Sequence, residues 1–147
     1  MAKKCKLIDC IEDSASRQLV SVSYNLNEDA ITDKSDDLTI LLSDRIDKIL
    51  TENDSMSCEV TREVRTSPQS ILSISVTAKL YLNVKTKYSG KMKWDEIDIE
   101  KELSGSCRGF FSDPMSRISL IIANITSSFA GLPMITPDSL IISDEGE

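Results

Sequence analysis

From Ile74 to Val84 apolar and polar residues alternate without a miss, Ile74, Val76, Ala78, Leu80, Leu82 and Val84 against Ser75, Thr77, Lys79, Tyr81 and Asn83. Side chains on a strand point to opposite faces in turn, so this run predicts a strand with one buried and one wet face. A wet face favours antiparallel pairing, because parallel sheets are covered on both sides. A second alternation spans Gln18 to Leu26, with Val20, Val22, Tyr24 and Leu26 set against Ser21, Ser23 and Asn25. A third starts at Ser57, with Cys58, Val60 and Val64 opposite Thr61, Glu63 and Arg65, and ends at a turn predicted for Ser67-Pro68-Gln69. The polar stretch 27–37 between them reads as a flexible exposed loop. After it, Leu38, Leu41, Leu42, Ile46, Ile49 and Leu50 fall at helical spacing, with Ser35 or Asp36 placed to cap. That spacing predicts a helix over 38–50, although Thr39 to Leu42 alone would also fit a strand.

The second half of the chain is punctuated differently. Ser89-Gly90 predicts a turn, and Met92 with Trp94 suits a short last strand. Helix signals are densest from Asp113 to Ala130. Asp113 can accept from the first free amides, and Pro114 occupies the first helical position, where no donor is missed. Ile118, Ile121, Ile122, Ile125 and Phe129 then form one apolar stripe, and Gly131 and Pro133 end the helix. Beyond it, Thr136-Pro137 could open a helical turn, Leu140 to Ile142 could equally form a strand, and 143–147 reads as a disordered acidic tail. Strands followed by helices, instead of alternating with them, predict an α+β fold.

Composition narrows the function. At 147 residues, with 40% apolar and 28% charged residues, the chain suits a single domain able to bury a core. A net charge of −7 opposes nucleic-acid binding, which depends on Lys and Arg. No run of about 20 apolar residues is present to cross a bilayer, and the start lacks a secretory pattern, so a cytoplasmic protein without membrane insertion is expected. Cys5, Cys10, Cys58 and Cys107 show no C-x-x-C pair, and the chain has no histidine. No metal or cofactor site is therefore expected, and the cysteines read as four reduced, mostly buried thiols. Lacking histidine, the chain has no Ser-His or Cys-His nucleophile pair, and it carries no phosphate-binding glycine motif, which argues against an enzyme. With aromatics at only 5%, each one counts. Trp94, Phe110, Phe111 and Phe129 suit either the core or an apolar groove, and Tyr81 on a polar strand face suits a surface.

Phe111, Pro114, Arg117, the run Thr126-Ser127-Ser128, then Gly131, Pro133 and Pro137 together resemble the SecB family of preprotein chaperones and their SecB-like relatives. In that family a phenylalanine precedes a helix-opening proline, a Thr/Ser-rich turn closes the helix, and a Gly-Leu-Pro segment with a later proline follows. The likeness covers about the last third of the chain. The family's Phe-Pro-Tyr-Ala-Arg-Glu stands here as Phe111-Ser112-Asp113-Pro114-Met115-Ser116-Arg117-Ile118. The resemblance implies a four-stranded antiparallel sheet with helices on one face, assembled as dimers or tetramers. It implies ATP-independent holding of unfolded or client polypeptides in apolar grooves, for export or for a single client such as an antitoxin. The residues best placed for such binding are Phe110, Phe111, Met115, Leu132, Met134, Ile135, Trp94 and Tyr81. The alternative is an interaction adaptor of a phage or mobile element that reuses the fold without holding unfolded chains.

Overall fold

The three alternating runs become neighbouring strands of one antiparallel sheet. The computed structural model describes residues 6–26, 39–67, 72–129 and 134–141. Its strands are β1 (Ile11–Leu26), β2 (Thr39–Thr51), β3 (Ser55–Ser67) and β4 (Leu72–Val84), in the spatial order β1-β4-β3-β2. A four-residue helix α1 (Leu7–Cys10) precedes β1, and α2 (Ile99–Ser104) and α3 (Ser112–Phe129) follow β4. The predicted loop 27–37, the turn residues Pro68 and Gln69, the helix-ending Gly131 and Pro133, and the acidic tail lie outside the described residues.

The expected two-faced sheet is present. Met56, Cys58, Val60 and Val64 of β3 and Ile74, Val76, Leu80 and Leu82 of β4 are buried under the helices. Leu7, Leu103, Phe111, Met115, Ile118, Ile122 and Leu140 close that core from above. The other face carries the polar partners. There Arg45 reaches Glu63 at 2.6 Å, and Thr61 and Thr77 share a hydroxyl hydrogen bond of 2.8 Å between the central strands. Such cross-strand pairs stabilise a sheet by a few tenths to about 1 kcal/mol each.

The segment 38–50 corrects the helical expectation, since 39–51 is the edge strand β2. Two features hide its period. Ile40, Leu42 and Ile46 lie across from Thr66, Val64 and Val60 on the helix side, but the position between Leu42 and Ile46 is Asp44, a charge facing the core. The register then slips between Asp47 and Leu50, where Lys48 takes a left-handed φ of 50°. The extra residue of a β-bulge inverts the parity, so Ile49 returns to the helix side and Leu50 turns outward. A charged inward residue and a bulge turn a period of two into apparent helical spacing.

The helix α3 is present, but its start differs from the expectation, since Asp113 and Pro114 lie inside its first turn instead of at its cap and first helical position. It begins at Ser112, directly after a 3-10 turn at Arg108–Phe111, and Met115, Ile118 and Ile122 of its apolar stripe are buried. Asp113 engages Arg17 and Arg117 with its carboxylate. The short strand expected at Met92 and Trp94 is absent. Trp94–Glu96 is a 3-10 turn, and the Trp94 indole donates to the Glu52 carbonyl at 2.6 Å. The Ser89-Gly90 turn is present. Gly90 has a φ of +71°, which favours glycine, and its amide donates to Asp54 at 2.8 Å. That bond and a second from Ser89 hold the Asp54 carboxyl below its usual range. The described C-terminal residues 134–141 form neither helix nor strand but an irregular strap.

The cysteines divide. Cys58 and Cys107 are free and buried, while Cys10 is disulfide-bonded, which corrects the expectation of four reduced thiols. Burial, reinforced by the charges of Asp47 and Glu59, pushes the Cys58 thiol up to about 12. Burial likewise raises Cys107 to about 11. An acid whose folded pKa exceeds its unfolded value contributes stability that is complete below the unfolded pKa, about 8.5 for a thiol, and is lost as pH rises toward the folded one. Stability is therefore expected to fall between about pH 9 and pH 12. A thiol reagent at pH 8 should leave both groups unmodified until denaturant is added. Rapid modification of Cys58 in the native protein would contradict this burial.

Candidate functional site: the groove between the first strand and the long helix

β1 is an edge strand, and its apolar side chains are not fully covered. Ala15, Arg17 and Leu19 lie across from Leu82, Leu80 and Ala78 on the helix side of the sheet. The register then shifts between Leu19 and Ser21, so that Val22, Tyr24 and Leu26 also fall on the helix side, across from Val76, Ile74 and Leu72. Val20 lies within this bulge, and the apolar stripe continues through it. α3 packs against β4 without roofing β1, leaving Leu19 52%, Val22 43% and Leu26 41% exposed.

A groove of about 720 Å³ runs between the two elements, with Leu19, Ala15 and Ala78 on the sheet side and Pro114, Ile118 and Ile121 on the helix side. Leu120, 61% exposed, stands on its rim. A second hollow of about 400 Å³ shares Ala15, Arg17 and Pro114 and extends the groove to Phe110. At this junction the Asp113 carboxylate lies between two guanidinium groups, Arg17 at 2.5 Å and Arg117 at 3.2 Å. Asp13 also lines this hollow, so two guanidinium groups face two carboxylates and the end of the groove is polar but balanced in charge. The side chains of Arg17, Asp113 and Arg117 are at least a third exposed, and each pair is worth at most about 1 kcal/mol in water.

The proposed binding residues scatter. Phe110, half-buried, lines the groove's end. Phe111 and Met115 are fully buried in the core beneath α3 and present no surface to a partner. Adjacent residues of the 3-10 turn point in different directions, so only one of the two phenylalanines stays accessible. Tyr81 lies on the opposite, polar face, with Lys79 5.1 Å from its ring centroid. Trp94 is held at the far end of β2 by Glu52. Met134 and the 80% exposed Ile135 belong to the strap. Leu132 and the side chain of Phe129 lie outside the described residues. The residues that sequence reasoning missed are Leu19, Val22, Leu120 and Arg17. Leu120 carried a signal, as a large apolar residue off the stripe of an otherwise Ser/Thr-rich helix face.

Also missed is the most deeply buried charge. Arg62 of β3 is inaccessible to solvent, and its Nε and Nη2 donate to the two oxygens of Asp44, directly across on β2, at 2.7 Å each. Its remaining donors reach Ser119 of α3 at 3.1 Å and, in the strap, Thr136 at 3.0 Å, Ser139 O at 2.9 Å and Pro137 O. Asp44 in turn accepts the Ile141 amide at 2.7 Å. Buried charge is tolerated because each donor has an acceptor.

Among the described residues no group of three His, Cys, Asp or Glu side chains is placed to hold a metal ion. No helix among them is long and apolar enough to cross a membrane. The groove offers apolar surface, a guanidinium pair and a bulged strand edge.

No family model and no curated protein matches the chain. Among solved structures, a SecB-like chaperone of Mycobacterium tuberculosis, in complex with a ChAD peptide from the HigA1 antitoxin, superposes with a TM-score of 0.61. The match has 12% identity and covers 89% of this chain and 92% of that one. A Streptococcus agalactiae protein of unknown function matches at a TM-score of 0.42 and 10% identity, over 86% of this chain and 97% of that one. With its four-stranded antiparallel sheet, its helices on one face and this superposition over nearly the whole chain, the protein has the SecB-like α+β fold.

Proposed function

We propose that this chain is an ATP-independent holdase, in which the groove between β1 and α3 receives apolar side chains of a non-native or client polypeptide. The observation that carries the reading is the open apolar stripe Leu19, Val22 and Leu26 beside a groove walled by α3. A groove of this kind selects for apolar area and asks little of geometry. Burying one leucine-sized side chain is worth about 1.5–3 kcal/mol, so two or three anchors give weak, broad binding that suits unfolded chains. The SecB-like protein of Mycobacterium tuberculosis is in complex with a peptide, which supports a polypeptide as the occupant here. The reading includes a non-enzymatic cytoplasmic protein acting as a homo-oligomer, dimer or tetramer, with sheet edges available for pairing.

Light scattering tests the proposal. Purified protein at near-stoichiometric ratio should suppress aggregation of a client diluted from denaturant, without nucleotide. Failure to suppress aggregation of several unrelated clients at tenfold excess would remove the holdase reading. Capture of one folded partner with no affinity for unfolded chains would then favour an adaptor.

A further inference from the structure

The strap 134–141 crosses the half of the helix-side face that α3 leaves to β2 and β3, on the opposite flank of α3 from the groove. Its contacts address backbone. Arg62 donates to the carbonyls of Pro137 and Ser139, Arg108 donates to that of Leu140, and Asp44 accepts the amide of Ile141. Ser119 donates to the Pro137 carbonyl at 2.8 Å, and Thr126 accepts the Met134 amide at 2.6 Å. Only two strap side chains are buried, Thr136 at 8% and Leu140 at 1% exposure, while Ile135 is 80% exposed. Five main-chain groups and one apolar anchor are thus fixed by side chains of β2, β3, α3 and the turn before it. None of these main-chain bonds requires a particular strap sequence, while the Thr136 hydroxyl adds side-chain bonds, accepting from Arg62 at 3.0 Å and donating to Ser119 at 2.9 Å.

Such an arrangement would hold a chain segment that bends as the strap does at Asp138-Ser139, with a hydroxyl at the Thr136 position and an apolar residue at the anchor position. Withdrawing the strap would return water to the Arg62–Asp44 pair and would open the Leu140 pocket of the core, a cost of about 1.5–3 kcal/mol that an apolar side chain of the incoming chain would recover. We propose that the strap is the resident occupant of a second polypeptide site, a main-chain cradle formed by Arg62, Asp44, Arg108 and the Leu140 pocket, and that a client segment adopting the strap's bent backbone replaces it there. This rests on the reading of the chain as a polypeptide binder and adds to it a site whose own C-terminal segment regulates access.

Two measurements test it. In hydrogen exchange on the unaltered full chain, saturating unfolded client should speed exchange of the Ile141 and Met134 amides by about tenfold or more, while β3 and β4 amides keep their protection. Unchanged protection of these two amides with client demonstrably bound would overturn the proposal. The first arm of the second measurement, peptide binding, needs no holdase activity. A fluorescent peptide of residues 134–141 should bind the full-length Leu140→Asp variant, whose own strap is loosened, at least tenfold more tightly than the parent protein. Unfolded client should compete it off. Equal binding to both proteins, or a peptide that client does not displace, would make the strap a fixed structural element. Loss of aggregation suppression with peptide binding intact would strike the holdase reading alone. If Leu140→Asp does not fold, the exchange experiment decides.

Discussion

Replacing Arg62 with methionine is expected to destabilise the protein by about 3–5 kcal/mol, lowering the melting temperature by roughly 10–15 °C. The substitution keeps the side-chain volume and removes the charge, leaving Asp44 fully buried with the guanidinium gone. An unpaired buried carboxylate is the expensive state, whereas the intact pair contributes little beyond an apolar substitute. The paired variant Arg62→Met with Asp44→Leu should therefore recover most of the loss. It will not restore the strap in full, because the acceptor of the Ile141 amide and the guanidinium donors to Pro137 and Ser139 are gone, although Ser119 still donates to the Pro137 carbonyl. Urea unfolding of the two single variants and the double one reads the coupling directly. A single variant within about 1 kcal/mol of the parent, or a double variant less stable than both singles, would show that burial does not isolate this pair.

The largest functional effect is expected at the groove. Leu19→Asp combined with Leu120→Asp places charge on both sides of it. Both positions are more than half exposed, so folding stability should change by no more than about 0.5 kcal/mol at each. Client affinity loses two leucine-sized contacts, about 3 kcal/mol or more together, which corresponds to a drop of at least about a hundredfold. Leu50→Asp is the matched control. Leu50 is 60% exposed, but it lies on the outer face of β2, remote from the groove. Holding capacity should survive this change. Equal loss from Leu50→Asp would mean that general surface hydrophobicity, and not the groove, binds the client.

Much of the fold was legible because local pattern and tertiary role coincide. β4 is central and has one covered face, so its alternation is unbroken from Ile74 to Val84. α3 carries its amphipathic stripe in its own residues, and Ile118 and Ile122 of that stripe are buried. β2 was misread because its inward Asp44 is intelligible only beside Arg62, eighteen positions later, and because a single residue at Lys48 changes the phase. The same pair explains why Arg62 drew no attention in β3: within one strand it interrupts an apolar face, and its six hydrogen bonds come from segments distant in the chain. The site was legible only in part. Phe110, singled out from its position before the helix, lines the end of the groove, but the groove itself depends on which edge of the sheet α3 leaves open. That is a property of strand order, β1-β4-β3-β2, and no local alternation encodes it. Phe111 and Met115 are buried for the complementary reason, since large apolar residues just before and in the first turn of a helix are those that anchor it to the sheet.

The central claim is that unfolded polypeptide occupies the groove between β1 and α3. Photo-crosslinking tests it most directly, with a benzophenone attached through Leu120→Cys at the groove rim or through Leu50→Cys on the outer face. The parent protein, carried through the same labelling, sets the background from its native cysteines. The expected result is strong crosslinking of a denatured client from position 120 and background labelling from position 50. Equal yields from the two positions, or crosslinks from position 50 alone, would contradict the groove as the holding site.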